Sequence, residues 1–236
     1  MSAGHYEQKQ LLSRSRIVAW SHGARFGKAR ALVEPYAGKK LLDYGCGDGT
    51  FLRDVVDLFP DSTGAEIAEL NVLRTRLPQI RFLHVDEIAE QYDVITCLEV
   101  LEHCSPETVS QLLSRFSRLV RPHGTVIISV PVEIGLTLLG KQVVRRVAGW
   151  RGVGDYKYSE RYTWPELLKM VFATSQSSVE REISEGRFGH KGFNWCSLEK
   201  EIRRYFKIRE RYFSPSYLLR SQVWFVCERL NTRAAS

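Results

Sequence analysis

The chain has 236 residues, 44% hydrophobic, 11% aromatic and 26% charged, with a formal net charge of +7. Such a length and apolar fraction suit one domain, at most two, with a real core, and exclude collagen-like, coiled-coil and fully disordered chains. Five scattered cysteines (Cys46, Cys97, Cys104, Cys196 and Cys227) with no C-x-x-C pair argue against a disulfide framework or a zinc ribbon, which makes a reducing cytoplasm the expected setting.

Charge is unevenly spread. Residues 1–40 carry 8 basic and 2 acidic groups, 41–137 carry 7 and 15, 138–199 carry 10 and 7, and 200–236 carry 9 and 3. An acidic middle between basic ends suits a polyanionic partner such as phospholipid, pyrophosphate-linked glycan or RNA, and equally an ordinary solvated surface. The longest apolar patch near the N-terminus, Ile17-Val18-Ala19-Trp20, is too short for a signal peptide. No window reaches about 18 uninterrupted apolar residues, so no membrane span is expected.

In chain order, residues 6–19 and 24–37 read as two helices separated by Gly23, with Pro35 and Gly38 closing the second. Strands follow at Lys40–Tyr44, Ser62–Glu66, Arg81–Val85, Asp93–Leu98 and Thr125–Val130, each apolar or β-branched and bounded by Gly, Pro or Asp. Residues 49–58, 67–76 and 106–120 read as the intervening helices, the last opened by an N-cap and N1 proline in Ser105-Pro106-Glu107-Thr108. This alternation predicts a parallel sheet built from right-handed crossovers. After Pro131 the rhythm breaks into a long insertion, 132–160. A capping box, Thr163-Trp-Pro-Glu166, then opens a helix to about Phe172, Ser197–Tyr205 reads as another helix, and Lys207–Phe213 with Gln222–Glu228 as a closing strand pair. One domain over 1–236 is expected, with a helical cap (1–38), a cofactor-binding core (39–131), a lid (132–196) and a closing helix and strand pair (197–236).

The strongest local signal is Leu41-Leu-Asp43-Tyr-Gly45-Cys-Gly47-Asp-Gly49-Thr-Phe51, a strand running through three glycines into a helix. Such a turn needs backbone conformations that glycine adopts cheaply, and it lets a ligand approach the main chain. Asp43 ends the strand and can accept from an amine. Glu66 ends the next strand, where a carboxylate can accept both hydroxyls of a ribose at the switch point of the sheet. The spacing differs from the dinucleotide fingerprint G-x-G-x-x-G. Its D-x-G-x-G-x-G pattern resembles the class I S-adenosylmethionine-dependent methyltransferases, over roughly residues 38–131. The resemblance implies a Rossmann-like fold, a mostly parallel seven-stranded sheet with helices on both faces. It also implies S-adenosyl-L-methionine as cofactor, with its methionine end at Asp43, Gly45, Gly47 and Gly49 and its ribose at Glu66. Its adenine amine is expected at Asp86 with its neighbour Glu87, and Glu99, after the fourth strand, joins this set.

On the acceptor side stands Cys97-Leu-Glu99-Val-Leu-Glu102-His103-Cys104. On a helical turn Glu99, Glu102 and His103 fall at i, i+3 and i+4, converging oxygen and nitrogen ligands on one face. The segment resembles the L-E-H of the ubiquinone-biosynthesis O-methyltransferases. It also resembles the E-x-x-E-H of small-RNA 3′-terminal 2′-O-methyltransferases, which with a later histidine, here His190, implies a magnesium or manganese site at Glu99, Glu102, His103 and His190. The L-E-H segment is also common in class I enzymes that use no metal. His103 and His190 are the general-base candidates, with Glu102 beside them, because histidine titrates near neutrality.

In the insertion, Leu136, Leu139, Val143, Val147 and Trp150 make an apolar stripe, and Lys141, Arg145 and Arg146 stand away from it. That pattern fits either a basic amphipathic helix at an anionic membrane or a lid packed on its own core. The reading that results is methyl transfer to a small or lipid-linked acceptor, on oxygen, with peripheral membrane contact. Metal-dependent 2′-O-methylation of an RNA end is the alternative.

Overall fold

The computed structural model describes residues 16–150, 162–181, 183–184, 187–216 and 220–230. In chain order these form α1 (Arg16–Val33), β1 (Leu41–Tyr44), α2 (Thr50–Val55), β2 (Ser62–Glu66), α3 (Leu70–Arg76), β3 (Arg81–His84) and β4 (Tyr92–Leu98). There follow α4 (Pro106–Leu119), β5 (Val120–Pro131), α5 (Gly135–Trp150), α6 (Trp164–Val171), a small hairpin of β6 (Ile183–Ser184) and β7 (Arg187–Phe188), α7 (Trp195–Ile202), β8 (Phe206–Ser214) and β9 (Gln222–Arg229).

Seven strands make one sheet in the order β3-β2-β1-β4-β5-β9-β8. The first five are parallel, and β9 runs antiparallel between β5 and β8. Strand alternation divides the core between two faces. Leu42, Tyr44, Ile95, Cys97, Val126 and Ile128 pack with Leu113 and Phe116 of α4 and Leu198 and Ile202 of α7. Leu41, Val94, Ile127 and Trp224 pack on the opposite side with Ala29 and Val33 of α1, Phe51 and Leu52 of α2 and Leu73 of α3. The Rossmann-like class I methyltransferase fold expected from the sequence is the fold observed.

Most expected elements lie within a few residues of their places. Ser105 caps α4 by accepting from the Thr108 amide, and Thr163 and Glu166 form the expected reciprocal capping box on α6. Three features differ. The helix break expected at Gly23 is absent: α1 runs through Gly23 and Gly27, where nothing lies within 4 Å of an added Cβ, and it is held by burial of Ala29 and Val33. Residues 6–15 of the first expected helix lie outside the described residues. The β6–β7 hairpin was not expected, because two-residue strands leave no periodicity to read.

The third difference concerns α5. Its heptad-spaced Leu136, Val143 and Trp150 are 78%, 63% and 85% exposed. Two of the basic residues expected to face outward turn inward instead, onto Glu133 at the end of β5, which is 1% exposed. Lys141 Nζ donates to Glu133 Oε1 at 2.9 Å and to the Val132 carbonyl at 2.9 Å, and Arg145 Nη2 donates to the same carboxylate oxygen at 3.1 Å. A buried carboxylate is costly alone, so it determines which side of α5 faces the body. Apolar packing supports the same orientation: Leu138 of α5 meets Met170 of α6 beneath it.

Glu133→Ala should therefore destabilise the protein by about 3 kcal/mol, the low end for breaking a buried pair, since its two cations keep some solvent contact. Burial alone would raise the Glu133 carboxyl, but Lys141 and Arg145 outweigh it and hold it below its ordinary value of 4.5. A lowered carboxyl contributes stability above its unfolded value and loses it as the pH falls through the folded one. Thermal melts of wild type and variant should therefore converge in acid, and a gap independent of pH would contradict the assignment.

Candidate active site

At the carboxyl ends of β1 and β4 the strand order reverses and a cleft of about 530 Å³ opens. Open α/β sheets bind ligands at this switch point. Asp43, Gly45, Gly47, Glu66, Glu99 and His103 all line it. The glycine turn is shaped as its sequence requires. Gly45 has φ +76°, and a Cβ there would stand 2.5 Å from Val100 Cγ2, so the turn lies flush against the loop after β4. The Gly47 amide donates to Glu66 Oε2 at 2.8 Å and the Ile67 amide to Glu66 Oε1 at 2.8 Å. Each carboxylate oxygen keeps a second lone pair for a ligand in the cleft. Gly49 lies just behind, as the left-handed N-cap of α2.

Asp43 is 2% exposed and accepts from Thr96 Oγ1 at 2.7 Å. Burial pushes its carboxyl up to about 7, with the Glu66 charge adding to the rise and the Thr96 hydrogen bond opposing it. In the free cleft Asp43 is thus poised to lose a proton near neutrality, and a cation beside it would drive that loss.

Two further residues meet across the cleft. Arg25, on α1 and 5% exposed, brings Nη1 to 3.8 Å from Glu99 Oε2, while Ser129 Oγ donates to Glu99 Oε1 at 3.1 Å. Burial raises the Glu99 carboxyl, against the pull of Arg25 and Ser129. Sequence reading did not single out Arg25, since one arginine on a helix of mixed composition carries no motif. Asp86 and Glu87 stand apart from the cleft-lining residues. The Asp86 side chain is 81% exposed beside His84 Nδ1, and Glu87 caps the backbone by accepting from the His84 amide at 2.8 Å. Val85, between them and β3, is the residue that lines the cleft.

The E-x-x-E-H segment does not form one helical turn. Glu99 has φ +56°, and only Leu101–His103 turn, as a short 3-10 segment. The left-handed residue breaks the turn, and the Glu99 carboxylate pairs with Arg25. The four expected ligands are thereby reduced to three: Glu102, His103 and His190 bring one ligand atom each to within 4.8 Å of one another. His103 Nε2 lies 3.9 Å from Glu102 Oε1, and the two imidazoles meet edge to face with centroids 5.0 Å apart. His103 Nδ1 lies 2.8 Å from the Phe188 carbonyl. A carbonyl only accepts, so Nδ1 carries the proton and the lone pair of Nε2 is left free. Glu102 is fully buried, and among the described residues neither carboxyl oxygen has a hydrogen-bond partner. Burial and then the Glu99 charge push its carboxyl well above the usual range.

Comparison with known proteins agrees with the fold. A family model described as "Methyltransferase domain" matches residues 21–171. The chain is 27% identical over 196 residues to a ubiquinone biosynthesis O-methyltransferase of Ruegeria pomeroyi, covering 76% of this chain and 77% of the relative. A protein of the same description from Dechloromonas aromatica is 30% identical over 175 residues, covering 64% and 74%. Among solved structures, the PH0226 protein from Pyrococcus horikoshii superposes with TM-score 0.62 at 15% identity, over 97% of this chain and 100% of that one. Magnesium protoporphyrin IX methyltransferase from Synechocystis PCC 6803 with bound SAH gives 0.59 at 16% identity, over 92% and 89%. The two structural likenesses bear on the fold.

His190 supplies a test of the site's burial. Desolvation lowers it from 6.5 to about 4, with His103, Arg145 and Lys141 adding and Glu133 opposing. The unfolded chain then binds the extra proton between those values, so stability falls as the pH drops from about 6.5 toward 4, by about 2 kcal/mol at pH 5. His190→Gln should remove that part of the acid sensitivity in melts at pH 7 and pH 5. An equal loss in variant and wild type would contradict it.

Proposed function

We propose, from the premise that the chain belongs to the methyltransferase-domain family and takes its methyl group from S-adenosylmethionine, that the acceptor is a hydroxyl of a small or lipid-linked molecule, methylated on oxygen. One observation carries the choice of oxygen: a cleft-lining histidine, His103, whose Nδ1–H is tied to the Phe188 carbonyl and whose Nε2 is free. A hydroxyl must lose its proton as it attacks, and a positioned imidazole of this tautomer takes it. In this reading residues 1–236 act as one methyltransferase domain, with 132–196 closing over the acceptor.

The cofactor set follows from charge and shape. The donor molecule presents an ammonium and a carboxylate at one end and a ribose beyond them. Asp43 suits the ammonium, Arg25 the carboxylate, and Glu66 the two ribose hydroxyls, with the Cβ side of Gly47 open for close approach to the main chain. Asp86 and Glu87 reach the adenine amine in this reading only by a side-chain movement from their solvent-facing positions. The sulfonium methyl is already activated, so the protein's work is alignment, exclusion of water and removal of one proton.

Glu102, His103 and His190 also suit a divalent cation such as manganese or magnesium, which would acidify an acceptor hydroxyl. The fit rests on the two unpartnered carboxyl oxygens of Glu102, on the neutral His190, and on a His103 ring oriented through its other nitrogen. With bonds of about 2.1 Å the ligand atoms would have to draw together from their present spacing. The exposed apolar residues of α5, together with Trp164 and Leu168 of α6 and Phe172 just after it at 71%, 55% and 77% exposure, support a lipid-linked acceptor presented at a membrane surface. Since Lys141 and Arg145 are engaged internally, such contact should be carried by apolar burial and survive salt. No helix among the described residues is long and apolar enough to cross a membrane.

The test is transfer of a labelled methyl group to phenolic and catecholic acceptors, offered in water and in vesicles. The products should be O-methyl ethers, and His103→Ala should lower turnover by about 10²–10⁴. Loss in chelator with return on adding manganese would place a cation at the trio, and undiminished turnover in chelator would leave His103 as the base alone. Methylation on nitrogen, or full activity of His103→Ala, would overturn the proposal.

A further inference from the structure

The two imidazoles of the site come from opposite ends of the fold: His103 follows β4 in the cofactor-binding half, and His190 lies in the lid, after β7. Local chain geometry does not dictate that they meet. What joins the two segments is a small set of contacts centred on Arg181. Its Nη2 donates to the backbone carbonyl of Glu102, and the same nitrogen donates to the carbonyl of Gly189 at 3.0 Å. Its guanidinium lies 4.7 Å from the ring centroid of Phe188 and 5.5 Å from that of Phe193. Phe188 is the residue whose carbonyl holds His103 Nδ1.

We infer that Arg181 is a positioning residue for the transfer reaction, its guanidinium strapping the loop that carries His190 to the turn that carries Glu102 and His103. This rests on the proposal that the trio handles the acceptor proton. Arg181 grips the backbone of Glu102 itself and that of the residue immediately before His190, so it fixes the separation of the groups without touching the reacting atoms. The chemistry of the side chain fits the task. A planar, permanently charged fork can satisfy two carbonyls and lie over aromatic faces at once, which a lysine ammonium on a flexible stem cannot. The loop is shaped for the same approach: Gly192 has φ +75°, and a Cβ there would stand 3.2 Å from Arg181 Cγ and 2.7 Å from Val179 Cγ2. The loop thus turns flush against the segment that carries the strap. Second-sphere groups of this kind are typically worth 10–100-fold in activity.

The experiment compares Arg181→Met, which keeps the apolar stem, with Arg181→Lys, which keeps the charge but not the fork. Three readouts are taken on the full chain: affinity for S-adenosylhomocysteine by calorimetry, the ring-to-ring nuclear Overhauser contact between His103 and His190 in histidine-labelled protein, and kcat against KM for the methyl donor. In Arg181→Met the S-adenosylhomocysteine affinity and the donor KM should stay at wild-type values. The ring contact should vanish and kcat fall about 10–100-fold. Added guanidinium ion should restore both, and Arg181→Lys should restore neither in full. An undiminished ring contact in Arg181→Met would overturn the strap. So would a loss of kcat that travels with loss of S-adenosylhomocysteine binding and that guanidinium does not reverse, since that is general unfolding. If Arg181→Met does not fold, the same two readouts on Arg181→Lys decide, wild-type values of both overturning the strap. The ring contact needs no acceptor. A lost contact with retained transfer would therefore overturn the role of Arg181 in the reaction together with that of the trio, whereas an undiminished contact would overturn the strap alone and leave the function proposed above standing.

Discussion

Between β1 and β4 the sheet reverses its winding, and the connections leaving the two strands turn to opposite sides. The gap between those connections exposes strand ends that would otherwise be covered, and the carboxyl groups lining the cleft are placed by it, while Arg25 comes from α1 and His190 from the loop after β7. Asp43 and the glycine turn leave β1, while Glu99, Glu102 and His103 follow β4. Glu66 closes the rim from the end of β2, held by the Gly47 and Ile67 amides. The apolar cores on the two faces of the sheet keep these strand ends rigid, and the site needs that rigidity because its groups come from many separate segments.

Such a site gathers carboxyl groups where water is scarce. Asp43, Glu99, Glu102 and Glu133 are all removed from solvent, and the fold treats them differently. Glu133 is compensated by Lys141 and Arg145, and this pairing fixes α5. Glu99 is partly compensated by Arg25 and Ser129. Among the described residues, Asp43 accepts from a threonine hydroxyl and the Glu102 carboxyl has no hydrogen-bond partner. Burying a carboxyl without a cation keeps it protonated until one arrives. The graded compensation thus separates carboxyls paired with cations that hold the fold together from carboxyls left without one, Asp43 and Glu102, which the proposed function would pair with a bound cation.

Much of this was legible in the sequence because local rules state it locally. The glycine spacing, the acid ending the second strand, the N-cap of α4 and the capping box of α6 depend on neighbours a few residues apart, and all are formed as expected. The pairing of Arg25 with Glu99 joins residues with no common motif. The exit of Glu99 from the trio depends on one left-handed backbone angle, which a non-glycine residue rarely adopts and no pattern announces. The phase of α5 shows the same limit. Periodicity tells which residues share a face, but which face turns inward was decided by Glu133, a buried acid two residues before the helix. Arg181 is hidden for a similar reason, as its partners are backbone carbonyls, which leave no mark on the sequence.

The central claim is that the glycine turn, Asp43 and Glu66 form a cradle for the methyl donor. The most direct measurement is calorimetry of S-adenosylhomocysteine binding at pH 7 in two buffers of different ionisation enthalpy. Asp43, held near 7 in the free cleft, should lose its proton when the ligand's ammonium settles beside it, so binding should release a fraction of a proton and tighten as the pH rises from 6 to 8. Asp43→Asn should abolish the buffer dependence while still binding weakly, and Glu66→Ala should weaken binding with proton release intact. Absence of binding by the wild type, or binding with no proton release and no loss in either variant, would contradict the account.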